Sequence, residues 1–146
     1  YMLLSDGMGS GAEAHAESAM TVRLLRQFLK AGIQPASALK TLNTALTLRC
    51  QEGGGFTTID LLALDRRTGA ATLYKYGAAA SYVKRGGTVT RLEGGSLPAG
   101  LQDTRQPPEA TGIHLEDSRR HGGLKDDCAA LALRLEKSEK PAAKRV

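Results

Sequence analysis

Hydrophobic and polar positions change period along the chain. Tyr1-Met2-Leu3-Leu4 is a short apolar run, and Met2 to Ser5 predicts the end of a buried strand. It leads into a glycine-rich loop, Asp6-Gly7-Met8-Gly9-Ser10-Gly11. From Ala12 onward, Ala16, Ala19, Met20, Leu24, Phe28 and Leu29 recur at helical spacing among Glu13, Glu17, Arg23, Arg26 and Lys30. Acids early and bases late suit the helix dipole, and Gly32 is placed to end the helix. A second helix is expected after Gln34-Pro35, with proline in its first turn. Its apolar face is Leu39, Leu42, Ala45, Leu46 and Cys50, and Gly53-Gly54-Gly55 stops it.

The period then becomes strand-like. Phe56 to Asp65, Ala70 to Tyr76, Ser81 to Arg85 and Thr88 to Glu93 predict a β-meander of about four strands, with Gly86-Gly87 as a hairpin turn. Gly94 to Pro108 reads as loop, because Pro98, Pro107 and Pro108 interrupt regular structure. Thr111 to Glu116 passes to Asp117 to Gly123 with no apolar strand between. Asp117 to Gly123 looks like the end of a helix, and Cys128 to Leu135 like a last buried strand. Helices segregated from runs of strands indicate an α+β fold.

Composition narrows the functional classes. The 146 residues suit one domain with a real core, and 41 % hydrophobic content argues against disorder. No apolar run reaches the roughly 18 residues of a membrane span. The chain opens inside an apolar run, as expected of a piece of a longer protein whose upstream sensor or membrane anchor is not seen. The net charge is +5, part of it in a basic tail over residues 136–146, and aromatic residues are only 4 %, too few to favour base stacking on nucleic acid. Cys50 and Cys128 fit neither zinc spacing nor a disulfide framework, so a reducing, cytoplasmic setting is expected and both are assigned to the core.

The chemistry-bearing residues are oxygen donors. A carboxylate at a strand end followed by glycines, Asp6-Gly7, suits a hard cation, and the sharp turn expected at Gly7 frees its carbonyl as a second donor. Lys125-Asp126-Asp127 precedes the last strand. If the first and last strands are neighbours, Asp6 and Asp126 converge. Two ions held this way bind phosphate oxygens and acidify a water. Taken singly, each segment is also an ordinary turn or cap, and the glycine loop also suits an anion nest. His15, His114 and His121 are scattered and read as solvated, and Ser5 and Ser10 lack a paired His and Asp.

An ordered set of segments resembles a known family. Leu3-Leu4-Ser5-Asp6-Gly7-Met8-Gly9-Ser10-Gly11 with Ala14-His15-Ala16-Glu17-Ser18 resembles the opening motif of the stage II sporulation protein E phosphatases. These belong to the metal-dependent protein phosphatase (PPM, or protein phosphatase 2C) superfamily. The likeness continues through Leu42-Asn43, Leu48-Arg49, Thr57-Thr58-Ile59-Asp60-Leu61, Asp65 with Thr68-Gly69, Lys75 with Gly77-Ala78-Ala79, Ser96-Leu97-Pro98-Ala99-Gly100 and Lys125-Asp126-Asp127-Cys128-Ala129-Ala130-Leu131.

That resemblance implies an α/β-sandwich of antiparallel sheets flanked by helices. It implies hydrolysis of phosphoserine or phosphothreonine on a bacterial regulatory protein by a water activated on two Mn²⁺ or Mg²⁺ ions. Asp6 and Asp126 are its catalytic residues, and Asp6, Gly7, Asp126 and Asp127 its metal ligands. The typical substrate is a small phosphoserine protein of the anti-anti-sigma type, and a homodimer is compatible with the family. Nucleic acid and membrane are not expected partners of this segment. The chain departs from the pattern in two places: the acidic strand before Asp6 and a second Asp-Gly loop are absent. The phosphatase-like domain is therefore expected over residues 1–135, without its first strand and with a segment missing near 115–118. An incomplete site predicts weak metal binding and leaves a non-catalytic interaction module as the alternative function.

Overall fold

The computed structural model describes residues 1–65, 68, 70–85 and 87–114. Its elements run β1 (Met2–Gly7), α1 (Ala12–Lys30), α2 (Pro35–Gln51), β2 (Thr57–Leu64), β3 (Ala70–Tyr76), β4 (Ser81–Arg85), β5 (Thr88–Leu92) and β6 (Glu109–His114). The helix end, last strand and basic tail expected beyond residue 115 lie outside the described residues. So do Asp126, Asp127, Cys128, His121 and the proposed missing segment near 115–118.

Both helices end where glycine can follow the chain into positive φ. Gly32 and Gly53 sit at φ 82° and 88°, just past Ala31 and Glu52. Pro35 opens α2, where no intrahelical N–H is needed.

β1, β2, β3 and β6 form an antiparallel sheet in the order β1-β2-β3-β6. Strand alternation divides its side chains between two faces. Leu3, Ile59, Leu61, Tyr74 and Tyr76 point towards the helices and pack with Leu25, Leu39, Leu42 and Leu46. Leu4, Asp6, Asp60, Leu73 and Lys75 share the opposite face. The structure is thus α+β, with antiparallel strands layered under two helices.

Three expectations need correction, and one strand had no element assigned to it. The meander does not continue past β3: β4 and β5 form a separate two-stranded sheet, and β3 pairs instead with β6. β6, Glu-Ala-Thr-Gly-Ile-His, carries Gly112 and polar residues, so no apolar run announced it. It is stabilised by its ladder to β3 rather than by its own alternation. In α1 the fully buried positions are Thr21 and Leu25, one residue along from the expected stripe, while Ala16 is exposed and Met20, Leu24 and Phe28 flank the core. In α2 Ala45 is exposed, Cys50 is a half-buried free thiol rather than core, and Ala38 and Asn43 are buried. Among the described residues no helix is long and apolar enough to cross a membrane.

Candidate functional site

Asp6 and Gly7 are the last residues of β1, not the first of a loop. The register pairs Asp6 with Thr58 and Gly7 with Thr57, so Asp6 stands on the sheet face away from the helices. Its side chain is exposed, while Gly7 is buried. Gly7 is needed for a close approach rather than for the sharp turn expected of it. A Cβ there would lie 2.1 Å from the Ala14 carbonyl oxygen in the first turn of α1. The true left-handed positions of the loop are Gly9 and Gly11, at φ 99° and 83°.

Thr57 holds the Asp6–Gly7 peptide from behind. Its Oγ1 donates to the Asp6 carbonyl at 2.7 Å. With that proton committed, Ser5 Oγ is the donor in the 2.8 Å contact to Thr57 Oγ1. Met8 N–H donates to the Phe56 carbonyl at 3.0 Å and fixes the next residue.

Thr57 is fully buried and is itself braced by the Pro98-Ala99-Gly100 turn. Thr57 N–H donates to Ala99 O at 3.1 Å, and Ala99 N–H donates to Thr57 O at 2.8 Å. Buried Asn43 of α2 clamps that turn: Gly100 N–H donates to its Oδ1 at 2.9 Å, and its Nδ2 donates to Gln102 O at 3.1 Å. A continuous set of hydrogen bonds therefore runs from α2 through the proline turn to the backbone of Asp6. Buried polar groups satisfied in this way fix one geometry.

A second polar cluster lies on the Asp6 face. Lys75 is 4 % exposed, and its Nζ donates to Asp60 Oδ2 at 2.8 Å, Ala79 O at 2.7 Å and Ser81 Oγ at 2.8 Å. Ser81 Oγ donates in turn to Asp60 Oδ2 at 2.7 Å. The ammonium thus has all three of its protons used. Asp60 Oδ1 is buried with no partner among the described residues. Beside it, Glu109 Oε2 accepts Gly95 N–H at 2.7 Å and Ser96 N–H at 3.2 Å.

Among the described residues two oxygen donors that could hold a hard cation stand side by side: the exposed Asp6 carboxylate at the end of β1 and the Gly7 carbonyl next to it. Oxygen donors of this kind fit Mg²⁺ or Mn²⁺. Among the described residues no three His, Cys, Asp or Glu side chains gather as a metal cluster. Asp126 and Asp127 lie outside them. His15 is exposed on α1, away from any such role.

Sequence reasoning named Asn43, Thr57, Asp60 and Lys75 within motifs but gave them no part to play. The signal was available for Lys75, a cation in an otherwise alternating apolar strand.

A family model described as stage II sporulation protein E (SpoIIE) matches residues 1–120. The chain belongs to the SpoIIE family. Stage II sporulation protein E of Priestia megaterium is 38 % identical over 100 residues, covering 68 % of this chain and 17 % of that protein. The Bacillus subtilis (strain 168) protein of the same name is 39 % identical over 98 residues, covering 67 % of this chain and 12 % of the relative. The chain thus spans less than a fifth of the length of these curated relatives. A solved structure of the PP2C phosphatase domain and a fragment of the regulatory domain of SpoIIE from Bacillus subtilis superposes with a TM-score of 0.69 at 35 % identity, covering 79 % of this chain and 34 % of that one. Its phosphatase domain in a crystal form without domain swapping gives a TM-score of 0.50 at 33 % identity, covering 79 % of this chain and 48 % of that one. The α+β fold expected of a PP2C-type SpoIIE domain is the fold found, over the described part.

Proposed function

We propose that this SpoIIE-family chain serves a metal-dependent protein phosphatase that hydrolyses phosphoserine or phosphothreonine on a bacterial regulatory protein. The observation that carries this reading is the placement of Asp6: an exposed carboxylate at the end of β1, on an open sheet face, its backbone held by Thr57 and its neighbour Gly7 wedged against α1.

In this reading Asp6 and the Gly7 carbonyl would hold Mn²⁺ or Mg²⁺. Asp126 and Asp127, the next acids of the family pattern, would be the further ligands, with Asp126 sharing the catalytic role. When bound, the divalent ions supply Lewis acidity and a water made acidic enough to attack phosphorus. The chain's own task is positional. Thr57 fixes the Asp6 carbonyl, Gly7 lets the loop close on α1, and Asn43 keeps the proline turn under both. The substrate is a phosphoserine protein, with a small anti-anti-sigma-type regulator the reading that family resemblance favours. A homodimer is compatible with it. The domain extends over residues 1–135 in this reading, with the basic stretch 136–146 as a tail.

Replacing Asp6 by Asn tests the assignment, because the carboxylate is exposed and among the described residues its side chain makes no hydrogen bond or ion pair. Phosphate release from a phosphoserine peptide at saturating Mn²⁺ is expected to vanish, with a change in folding stability within about 0.5 kcal/mol. Full turnover by Asp6→Asn overturns the role of Asp6. A wild-type chain that releases no phosphate at all, alone or supplemented with Mn²⁺, favours the non-catalytic interaction module instead.

A further inference from the structure

Three uncharged segments meet at the end of the main sheet, beside Asp6. Residues 8–11, 53–58 and 96–102 carry no acid and no base, in a chain of which 24 % is charged. Backbone pairing brings them together. Gly7 lies opposite Thr57, Met8 N–H donates to Phe56 O at 3.0 Å, and Thr57 exchanges two backbone hydrogen bonds with Ala99. The next residue of the turn, Gly100, approaches Phe56 so closely that a Cβ on it would lie 3.2 Å from the Phe56 Cβ. Met8, Phe56 and the Gly100–Leu101 corner therefore follow one another across the end of the sheet.

This row shows apolar side chains to solvent. Met8 is 55 % exposed and Leu101 43 % exposed, and Phe56 is half-buried. The backbone beneath them is held: Met8 by its bond to Phe56, and Leu101 by its N–H donating to Pro98 O at 3.0 Å. A contact on a fixed backbone costs little ordering when a partner covers it. The row also begins one residue after Gly7, so it borders the Asp6–Gly7 oxygen donors.

We propose that Met8, Phe56 and Leu101 form an apolar strip that selects the substrate, seating an apolar side chain of the polypeptide close to its phosphorylated residue. That the seated side chain neighbours a phosphoserine rests on the phosphatase reading. The apolar contact itself does not. Three chain segments about 4.8 Å apart span about 10 Å, the reach of about three residues of extended peptide. The seated side chain thus lies within about three positions of the phosphoserine. Because the strip is uncharged, it separates apolar neighbours from polar ones rather than acidic from basic.

The test uses the whole chain without divalent ions and two fluorescein-labelled phosphoserine peptides. One carries leucine two residues to either side of the phosphoserine, and the other carries serine there. Anisotropy is expected to show the leucine peptide bound about fivefold more tightly or better. Met8→Ser and Leu101→Ser, both at exposed positions, should each cut that preference to about twofold or less. Tyr82→Ser, at a similarly exposed apolar position on the β4–β5 hairpin, should leave it intact. Equal binding of the two peptides, or no binding of either, overturns the proposal. So does a preference that survives both strip substitutions, or one that Tyr82→Ser removes as well. A dimer in sedimentation that Met8→Ser dissociates gives the strip to a second copy and overturns it too. Phosphate release at saturating Mn²⁺ is read on the same chains. Release without a leucine preference removes the strip alone. A leucine preference in a chain that releases no phosphate keeps the strip as a docking surface and removes the catalytic reading.

Discussion

Tyr76 and Asn43 are both fully buried polar residues, and they behave oppositely. The Tyr76 hydroxyl has no partner among the described residues, and burial pushes its pKa up to about 12 from an ordinary 10.0. Asn43 bonds both ways to the 100–102 turn. An unsatisfied buried group costs more than its removal, whereas deleting a satisfied one strands its partner. Tyr76→Phe is therefore expected to unfold in urea at the same midpoint as the wild type or a higher one. Below pH 10 the hydroxyl is protonated in both folded and unfolded chains, so full stability is present. As pH rises from 10 to 12 the unfolded chain releases this proton first, and stability falls by about 2–3 kcal/mol. That part of the alkaline loss should be missing in Tyr76→Phe, and pH-dependent urea titrations of the two chains measure the difference. Asn43→Ala, by contrast, leaves the buried Gly100 N–H without an acceptor and is expected to cost about 2–3 kcal/mol. Hydrogen exchange at Gly100 and Thr57 should rise together in that variant. An unaltered Thr57 amide would show that the clamp does not reach the strand.

At the scale of elements, the junction of β1 with α1 decides where Asp6 sits. Gly7→Ala places a methyl group 2.1 Å from the Ala14 carbonyl, a backbone atom that cannot swing away. Either α1 shifts or β1 slips, and the overpacking is expected to cost about 1–3 kcal/mol. Mn²⁺ affinity measured by calorimetry should fall further than this stability loss accounts for, because the Gly7 carbonyl is a proposed donor. Equal affinity in a folded Gly7→Ala chain argues against that donor. Much of this element layout was legible in the residues. Two helices, their glycine stops and β2 to β5 followed from period and turn chemistry. β6 was hidden, because Glu109, Thr111 and Gly112 give it no apolar signature and its stability comes from pairing with β3. The sheet partners were hidden for the same reason: local alternation marks β3 and β4 as strands but not that they part company. For the site, Asp6 and Gly7 stood out as types at a strand end. The supports did not, since the bonds from Asn43 to residue 100 and from Thr57 to residue 99 join segments far apart in sequence.

Across the whole molecule, the Lys75–Asp60 pair connects the main sheet to the β4–β5 hairpin through Ser81, and it is a buried charge pair rather than a surface one. Lys75→Met leaves the half-buried Asp60 carboxylate with only the Ser81 hydroxyl and one oxygen already unpartnered. Breaking one side of such a pair typically costs about 3–5 kcal/mol, whereas replacing both sides with apolar groups of similar volume is often nearly neutral. The double variant Asp60→Leu/Lys75→Met is thus expected to be more stable than Lys75→Met alone, by about 3–5 kcal/mol in urea unfolding. The two substitutions should still share one consequence. Ser81 loses the ammonium in the single variant and both partners in the double one, so amide exchange across Ser81–Arg85 and Thr88–Leu92 should accelerate in the single variant and further in the double one, while β2 and β3 in the double variant stay protected. Additive losses in the double variant would show that the pair acts as two independent contacts. Unchanged hairpin exchange would show that the hairpin is held by Val83 and Leu92 packing and not by the buried charges.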